Sequence, residues 1–70
     1  MPMIDITMFE GRSDEQKSLM YREITAAMER TLDVPPETVR ITVREIKKTE
    51  LVIGGETYAD RLAKAAKPGS

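Results

Sequence analysis

The chain opens with a strict alternation of apolar and polar side chains. Between Met3 and Phe9, the aliphatic residues Ile4, Ile6 and Met8 recur at every second position. A period of two is typical of a β-strand with one buried face. The pattern therefore predicts a first strand over 3–9, in which Met3 and Phe9 lie on the face opposite these aliphatic residues.

The period changes after Gly11. Ser13, followed three residues later by Gln16, is the capping-box signature of a helix start. We predict a helix from about Asp14 to Leu32 whose apolar residues recur at helical spacing. The stripe consists of Met20, Ile24, Ala27, Met28 and Leu32. We expect it to face a sheet, and the proline pair at 35–36 to lie beyond the end of the helix.

A second alternating segment runs from Val39 to Ile46 and predicts a second strand. Two strands separated by one helix form a βαβ unit, in which the strands are normally parallel and the crossover is right-handed. Such a unit leaves one face of a two-stranded sheet uncovered. Because an isolated two-stranded sheet is marginal in water, we expect Met3 and Phe9 to pack against another subunit.

The rest of the chain contains shorter elements. A short apolar segment at 51–53 precedes Gly54-Gly55, a turn that needs glycine's conformational freedom. A short helix is expected over 57–67, and residues 65–70 are expected to fray. The chain is thus predicted to be one α+β domain over residues 1–70.

The composition indicates that additional stability must come from assembly with other subunits. The chain has 70 residues and contains neither cysteine nor histidine. A core of this size rarely supplies more than about 3–5 kcal/mol, and small domains usually add disulfides, metals or subunits. Disulfides are excluded, and zinc and other transition metals lack the ligands that they prefer. Oligomerisation remains.

Charge argues against several classes of partner. Eleven basic and twelve acidic residues give a formal net charge of -1, and the apolar fraction is 40%. This balance, with only three aromatic residues, does not favour nucleic-acid binding. No apolar run approaches the length of a membrane span, and no signal peptide is evident. We expect a cytoplasmic protein without nucleic-acid or membrane partners.

A catalytic base could arise from processing. An initiator methionine before a small residue such as Pro2 is normally removed, which would leave a secondary amine. A free α-amino group has an ordinary pKa of about 7.7–8.0, which burial or nearby cations lower, leaving it basic at pH 7. Arg12 and Arg40 are the obvious cations. By itself, Pro2 indicates no more than removal of the methionine.

The spacing of four segments is more informative. Pro2 opens the first strand, EGRSDEQK occupies 10–17, VRI occupies 39–41 and IGGE occupies 53–56. Together they resemble the 4-oxalocrotonate tautomerase family, whose members begin with a catalytic proline followed by a βαβ unit. The resemblance covers residues 2–64 without gaps. EGRSDEQK is its most specific part, IGGE supports it, and VRI alone would be weak.

The resemblance implies a cofactor-independent tautomerase, an isomerase that interconverts enol or dienol and keto forms of a small unsaturated 2-oxo acid such as 2-hydroxymuconate. Pro2 would be the general base. Arg12 would bind a substrate carboxylate through its bidentate guanidinium. Arg40, from a neighbouring subunit, would hold the 2-oxo or enolate oxygen. The resemblance implies neither a metal nor an organic cofactor, and it suggests a role in aromatic hydrocarbon catabolism.

The resemblance also implies an assembly. The expected form is a homohexamer, a trimer of dimers, or a hetero-oligomer with a related chain, in which IGGE forms a hairpin that packs near a neighbour's pocket. Leu51 departs from the family pattern, because an aromatic residue usually lines the pocket at this position. Leucine keeps the apolar character without the ring, so we expect weaker desolvation of Pro2 and an altered pocket.

Other interpretations stay open. Arg12 could form a surface ion pair with acidic residues of the first helical turn, worth about 0–1 kcal/mol. Arg40 could belong to the polar face of an exposed strand. The same pocket could serve a hydratase or dehalogenase, with Pro2 protonated. A non-catalytic subunit that completes another chain's site is a further alternative.

Overall fold

The computed structural model describes residues 1–66, and its order of elements is that of the predicted βαβ unit followed by a hairpin and a helix. The elements are β1 (Met3–Phe9), α1 (Asp14–Leu32), β2 (Arg40–Ile46), β3 (Val52–Ile53), β4 (Glu56–Thr57) and α2 (Tyr58–Ala65). Two 3-10 turns, Pro36–Thr38 and Lys48–Glu50, precede β2 and β3. The α+β prediction is confirmed. Part of the predicted tail, residues 67–70, lies outside the described residues.

The strands β1 and β2 are parallel, as the sequence predicted. Their register pairs Met3 with Arg40 and continues residue by residue to Phe9 with Ile46. The second strand begins at Arg40, one residue later than expected, because Val39 closes the preceding 3-10 turn. The backbone N–H of Val39 donates to the carbonyl of Pro36 at 3.1 Å and is therefore not available for pairing with β1.

The helix α1 begins and ends where the sequence indicates. Ser13 and Gln16 form the expected reciprocal capping box, with both hydrogen bonds at 3.1 Å. At the other end, Asp33 adopts a left-handed conformation with φ of 55° and its N–H donates to Glu29. Nineteen helical residues span about 28 Å, whereas seven strand residues span about 23 Å. The helix is thus longer than the strands, and its last residue, Leu32, is 53% exposed, although its spacing placed it in the stripe.

The chain continues into a tight hairpin that leads into α2. Val52 pairs with Thr57 and Ile53 with Glu56, so only Gly54 and Gly55 form the loop. Both glycines have positive φ, 59° and 85°, which a two-residue hairpin turn of this hand requires. The Thr57 hydroxyl then caps α2 by accepting from the backbone N–H of Asp60 at 3.1 Å.

The single chain has an incomplete core. None of the described side chains is fully buried. The radius of gyration is 16.8 Å, compared with about 11 Å for a compact chain of this length. Met3 is 76% exposed on the open face of the sheet. Phe9 is half-buried against Tyr58 of its own chain, so part of its contact surface is satisfied without another subunit. Among residues 1–66, no helix has the length and apolar character of a membrane span.

Candidate active site

Pro2 and Arg40 meet at the amino end of the parallel sheet. The backbone N–H of Arg40 donates to the Pro2 carbonyl at 3.0 Å, which fixes the residue that immediately precedes β1. Nη1 of Arg40 donates to the carbonyl of Glu37, also at 3.0 Å. Met1 is 74% exposed and is therefore open to an aminopeptidase. While Met1 is attached, the Pro2 nitrogen is a tertiary amide and has no basic lone pair.

Arg12 lies at the opposite end, in the loop between β1 and α1. It lines a cavity of about 220 Å³ with Met8, Gln16, Lys17 and Met20. Among the described residues, three basic side chains form ion pairs with carboxylates, namely Lys17, Arg61 and Lys64. Arg12 is exposed, and within residues 1–66 no carboxylate forms an ion pair with it, contrary to the surface ion-pair interpretation.

Lys17 ties this end of the helix to β2. Its ammonium contacts Glu45 at 2.8 Å and Asp14 at 3.6 Å, and 16% of its side chain is exposed. The hydrogen bond that Lys17 donates to the Glu45 carboxylate raises the pKa of Lys17 above its ordinary value. The charges of Glu45 and Asp14 add to this effect, whereas desolvation opposes it. Asp14 contacts Lys17, and among residues 1–66 no ion pair joins Asp14 to Arg12.

Leu51 also lies at the carboxyl end of the sheet, where it lines a second cavity. This cavity has a volume of about 310 Å³. Its lining consists of Thr7, Met8, Phe9, Ile46 and Leu51. Met8 lines both this cavity and the Arg12 cavity, so the two are adjacent. Leu51 is 37% exposed.

An aromatic pair adjoins the cavity that Leu51 lines. The rings of Phe9 and Tyr58 are stacked, with centroids 5.0 Å apart and an interplanar angle of 20°. The backbone N–H of Tyr58 donates to the carbonyl of Leu51 at 2.8 Å, which extends the hairpin by one pair. From the sequence, Phe9 was expected to pack against another subunit, and neither ring was placed beside Leu51. The signal was available, since a two-residue turn at 54–55 places Leu51 directly opposite Tyr58.

The predicted site residues therefore form two groups within one chain. Pro2 and Arg40 are at the amino end of the sheet, and Arg12 and Leu51 are at its carboxyl end. From Pro2 to Phe9 an extended strand covers about 23 Å, far beyond the reach of one arginine side chain. One chain brings Pro2 and Arg40 together but does not bring Arg12 to Pro2.

The site offers no evident metal ligands. No group of three or more His, Cys, Asp or Glu residues within residues 1–66 is arranged to hold a metal ion. Together, the two groups provide the Pro2 nitrogen, the guanidinium groups of Arg12 and Arg40, and an apolar cavity beside Leu51. Such a set suits an anionic, partly apolar organic acid.

Comparison with known proteins identifies the family of this chain. A family model described as tautomerase enzyme matches residues 2–61, beginning at Pro2. The chain belongs to the tautomerase family. It is accordingly an isomerase, as the resemblance implied. The match covers all four strands, α1, the part of α2 up to Arg61 and all four predicted site residues.

Relatives of this tautomerase are similar over most of their length. A 2-hydroxymuconate tautomerase from Pseudomonas putida is 48% identical over 56 residues, which are 80% of this chain and 89% of that protein. A second, from Stutzerimonas stutzeri, is 46% identical over 57 residues, covering 81% of this chain and 90% of the relative.

Solved structures confirm the tautomerase fold. A 4-oxalocrotonate tautomerase isozyme from Methylibium petroleiphilum superposes with a TM-score of 0.83 at 41% identity, over 90% of this chain and 98% of that one. A chain of a heterohexameric 4-oxalocrotonate tautomerase from Chloroflexus aurantiacus gives a TM-score of 0.78 at 40% identity, over 86% and 97% of the two chains. The second protein is an assembly of unlike subunits.

Proposed function

We propose that this tautomerase, once Met1 is removed, interconverts the enol and keto forms of a small unsaturated 2-oxo acid such as 2-hydroxymuconate. Two relatives that carry the name of that activity, at 48% and 46% identity, support this substrate class. The observation that carries the proposal is the separation of Pro2 and Arg40 from Arg12 and Leu51 at opposite ends of one parallel sheet.

Two copies running in opposite directions would join these groups. In the described part of the chain, β1 and β2 each have one edge without a neighbouring strand. If a second copy adds its β1 antiparallel along the β1 edge, the Pro2 end of one copy lies beside the Arg12 end of the other. A four-stranded sheet also relieves the marginal stability of two strands. We propose that every site contains residues from more than one copy.

The reaction needs only proton transfer within such a site. The neutral nitrogen of Pro2 accepts the enol hydroxyl proton, and the electron pair of that O–H bond forms the C=O bond. The double bond shifts along the acid, and a carbon atom takes the proton back. Arg12 holds a carboxylate, and Arg40 stabilises the negative charge that develops on the 2-oxygen. The substrate and the product are isomers, so the reaction involves no net oxidation or reduction.

A higher assembly completes the proposal. The uncovered sheet face and the exposed Val52 and Ile53 of the hairpin, at 56% and 40%, need further partners. We propose a homohexamer built from three such dimers, or a mixed assembly with a related chain. The heterohexameric neighbour at 40% identity supports the mixed form as a second candidate.

The test uses protein whose intact mass establishes that Met1 is absent. Ketonisation of 2-hydroxymuconate and of phenylenolpyruvate is followed by ultraviolet absorbance, and native mass spectrometry gives the assembly. Turnover above the buffer rate by a homo-oligomer supports the proposal. An oligomer that is inactive alone but active after co-expression with a related tautomerase chain would instead support the mixed assembly. Inactivity in both arms would overturn the proposed function.

A further inference from the structure

We propose that the stacked pair Phe9 and Tyr58 determines substrate specificity by forming the wall against which the apolar part of the acid packs. This inference rests on the proposed function, because it concerns the same composite site. Phe9 lines the cavity beside Leu51, whereas Tyr58 is absent from the cavity lining and stacks on Phe9. Phe9 is thus the contact surface, and Tyr58 is a positioning residue.

The chemistry of the cavity identifies its occupant. Its lining contains no charged side chain, and Thr7 is its only polar residue. A carboxylate placed there would lose hydration without gaining an ionic partner, which is costly. An aryl or alkyl group has no such hydration to lose when it enters the cavity. The volume of about 310 Å³ exceeds the roughly 150 Å³ that is sufficient for benzene in a protein interior.

The position of the cavity connects it to the anion-binding group. Met8 separates it from the cavity that Arg12 lines. A single acid can therefore place its carboxylate toward Arg12 and its hydrocarbon part against Phe9. The occupant that we infer is the aryl or alkyl substituent of an enol acid, bound at the end distant from the carboxylate.

The hairpin holds this wall in place. Tyr58 is the first residue of α2 and donates its backbone N–H to Leu51, so the ring and the leucine belong to one rigid turn. Phe9 is the last residue of β1. A stacked aromatic pair is worth about 0.5–1.5 kcal/mol beyond its buried area, or roughly two- to twelvefold in an equilibrium constant. Loss of Tyr58 would therefore let the ring of Phe9 rotate away from the position that the substrate needs.

The experiment compares kcat/KM for phenylenolpyruvate and 2-hydroxymuconate in Tyr58→Ala, Tyr58→Phe and the processed wild type. With Tyr58→Ala, we expect kcat/KM for phenylenolpyruvate to fall about three- to tenfold, mainly through KM, while that for 2-hydroxymuconate stays within about twofold. Tyr58→Phe keeps the ring and should preserve both values. Tyr21→Ala is the matched control, because Tyr21 lines a separate cavity with Val39, Ile41 and Val43.

Each outcome decides the proposal. A selective loss in Tyr58→Ala with rescue by Tyr58→Phe supports it. Equal losses for both acids, or no loss for either, overturn it. Should Tyr58→Ala fail to assemble, Phe9→Leu provides the same comparison, since it removes the ring but keeps an apolar side chain. If the wild type turns over neither acid, the proposed function fails and this inference fails with it.

Discussion

The backbone N–H of Arg40 donates to the carbonyl of Pro2 across 3.0 Å, which joins the second strand to the residue that would begin the chain after the proposed removal of Met1. This bond fixes where the amine will lie after Met1 is removed. The same residue directs its guanidinium toward the Glu37 carbonyl, at 3.0 Å, rather than toward a carboxylate. The amino end of the sheet thus holds a positioned nitrogen and an accessible cation.

The first prediction concerns the Pro2 nitrogen. Placing two residues, Gly-Ser, before Pro2 converts the amine into an amide without changing any side chain. We expect kcat to fall at least about 10²-fold, because the general base is lost. Absorbance assays with 2-hydroxymuconate measure the effect, and native mass spectrometry verifies that assembly persists. An assembled but fully active extended protein would contradict a role for this nitrogen.

The second prediction is the direction of the pH dependence. A base must be neutral to accept a proton, so kcat/KM should fall as pH drops through the pKa of the amine and reach a plateau above it. A hydratase or dehalogenase that uses protonated Pro2 would show the opposite limb, losing activity as pH rises. Rate measurements with phenylenolpyruvate between pH 5 and 9, a range set by the ordinary amine pKa of about 7.7–8.0, distinguish the two.

The third prediction tests the shared site. Pro2→Ala and Arg12→Ala should each reduce kcat/KM about tenfold or more, because one changes the base and the other removes a charge-assisted carboxylate contact. If these residues meet only across subunits, unfolding and refolding the two variants together in equal amounts should restore about a quarter of wild-type activity, the share of sites that random mixing leaves intact. No recovery in verified mixed oligomers would place both residues in the same chain's site.

The same mixing distinguishes the origin of Arg40. Its backbone adjoins its own chain's Pro2, while the family resemblance implies an arginine from a neighbour. Pro2→Ala mixed with Arg40→Ala recovers activity only if the two side chains come from different copies. We expect recovery, because the family resemblance implies that the guanidinium acting beside a given Pro2 belongs to a neighbouring copy, while Nη1 of Arg40 contacts the Glu37 carbonyl of its own chain.

Local patterns were sufficient to predict the βαβ unit. The alternation from Ile4 to Met8 depends only on one face being buried, and the Ser13 capping box depends only on residues three apart. Both features are determined within a few residues of the chain. Parallel pairing was expected because a helix connects the two strands, and the observed register confirms it.

Features that depend on distant contacts were not predictable in the same way. Phe9 was assigned to an interface between subunits because it lies on the uncovered sheet face, and nothing near it in sequence indicates that the ring of Tyr58 lies beside it. The ion pair between Arg61 and Glu56, whose Nε and carboxylate oxygen lie 3.3 Å apart, is likewise not indicated by any local pattern. Both contacts form because the turn at Gly54-Gly55 reverses the chain and brings the start of α2 back toward the hairpin and β1.

The last prediction concerns that carboxylate. Glu56 contacts the ammonium of Lys64 and, at 3.3 Å, the guanidinium of Arg61, so it connects β4 to α2. The hydrogen bond from Lys64 lowers the pKa of Glu56 below its ordinary value. The charges of Lys64 and Arg61 lower it further, and desolvation opposes them. A carboxyl whose pKa is lowered by folding stabilises the folded state above its unfolded-state pKa. That contribution is lost as pH falls through the lowered value.

We therefore expect α2 to separate from the hairpin in acid before the βαβ unit unfolds. Hydrogen exchange of the α2 amides should accelerate as pH falls through the Glu56 titration, after correction for the intrinsic pH dependence of exchange. Glu56→Gln should show that faster exchange already at neutral pH. Glu23→Gln is the matched control, because Glu23 is an exposed carboxylate on α1. Unchanged protection of α2 in Glu56→Gln would mean that the Phe9 and Tyr58 stack, rather than this ion pair, holds the C-terminal helix in place.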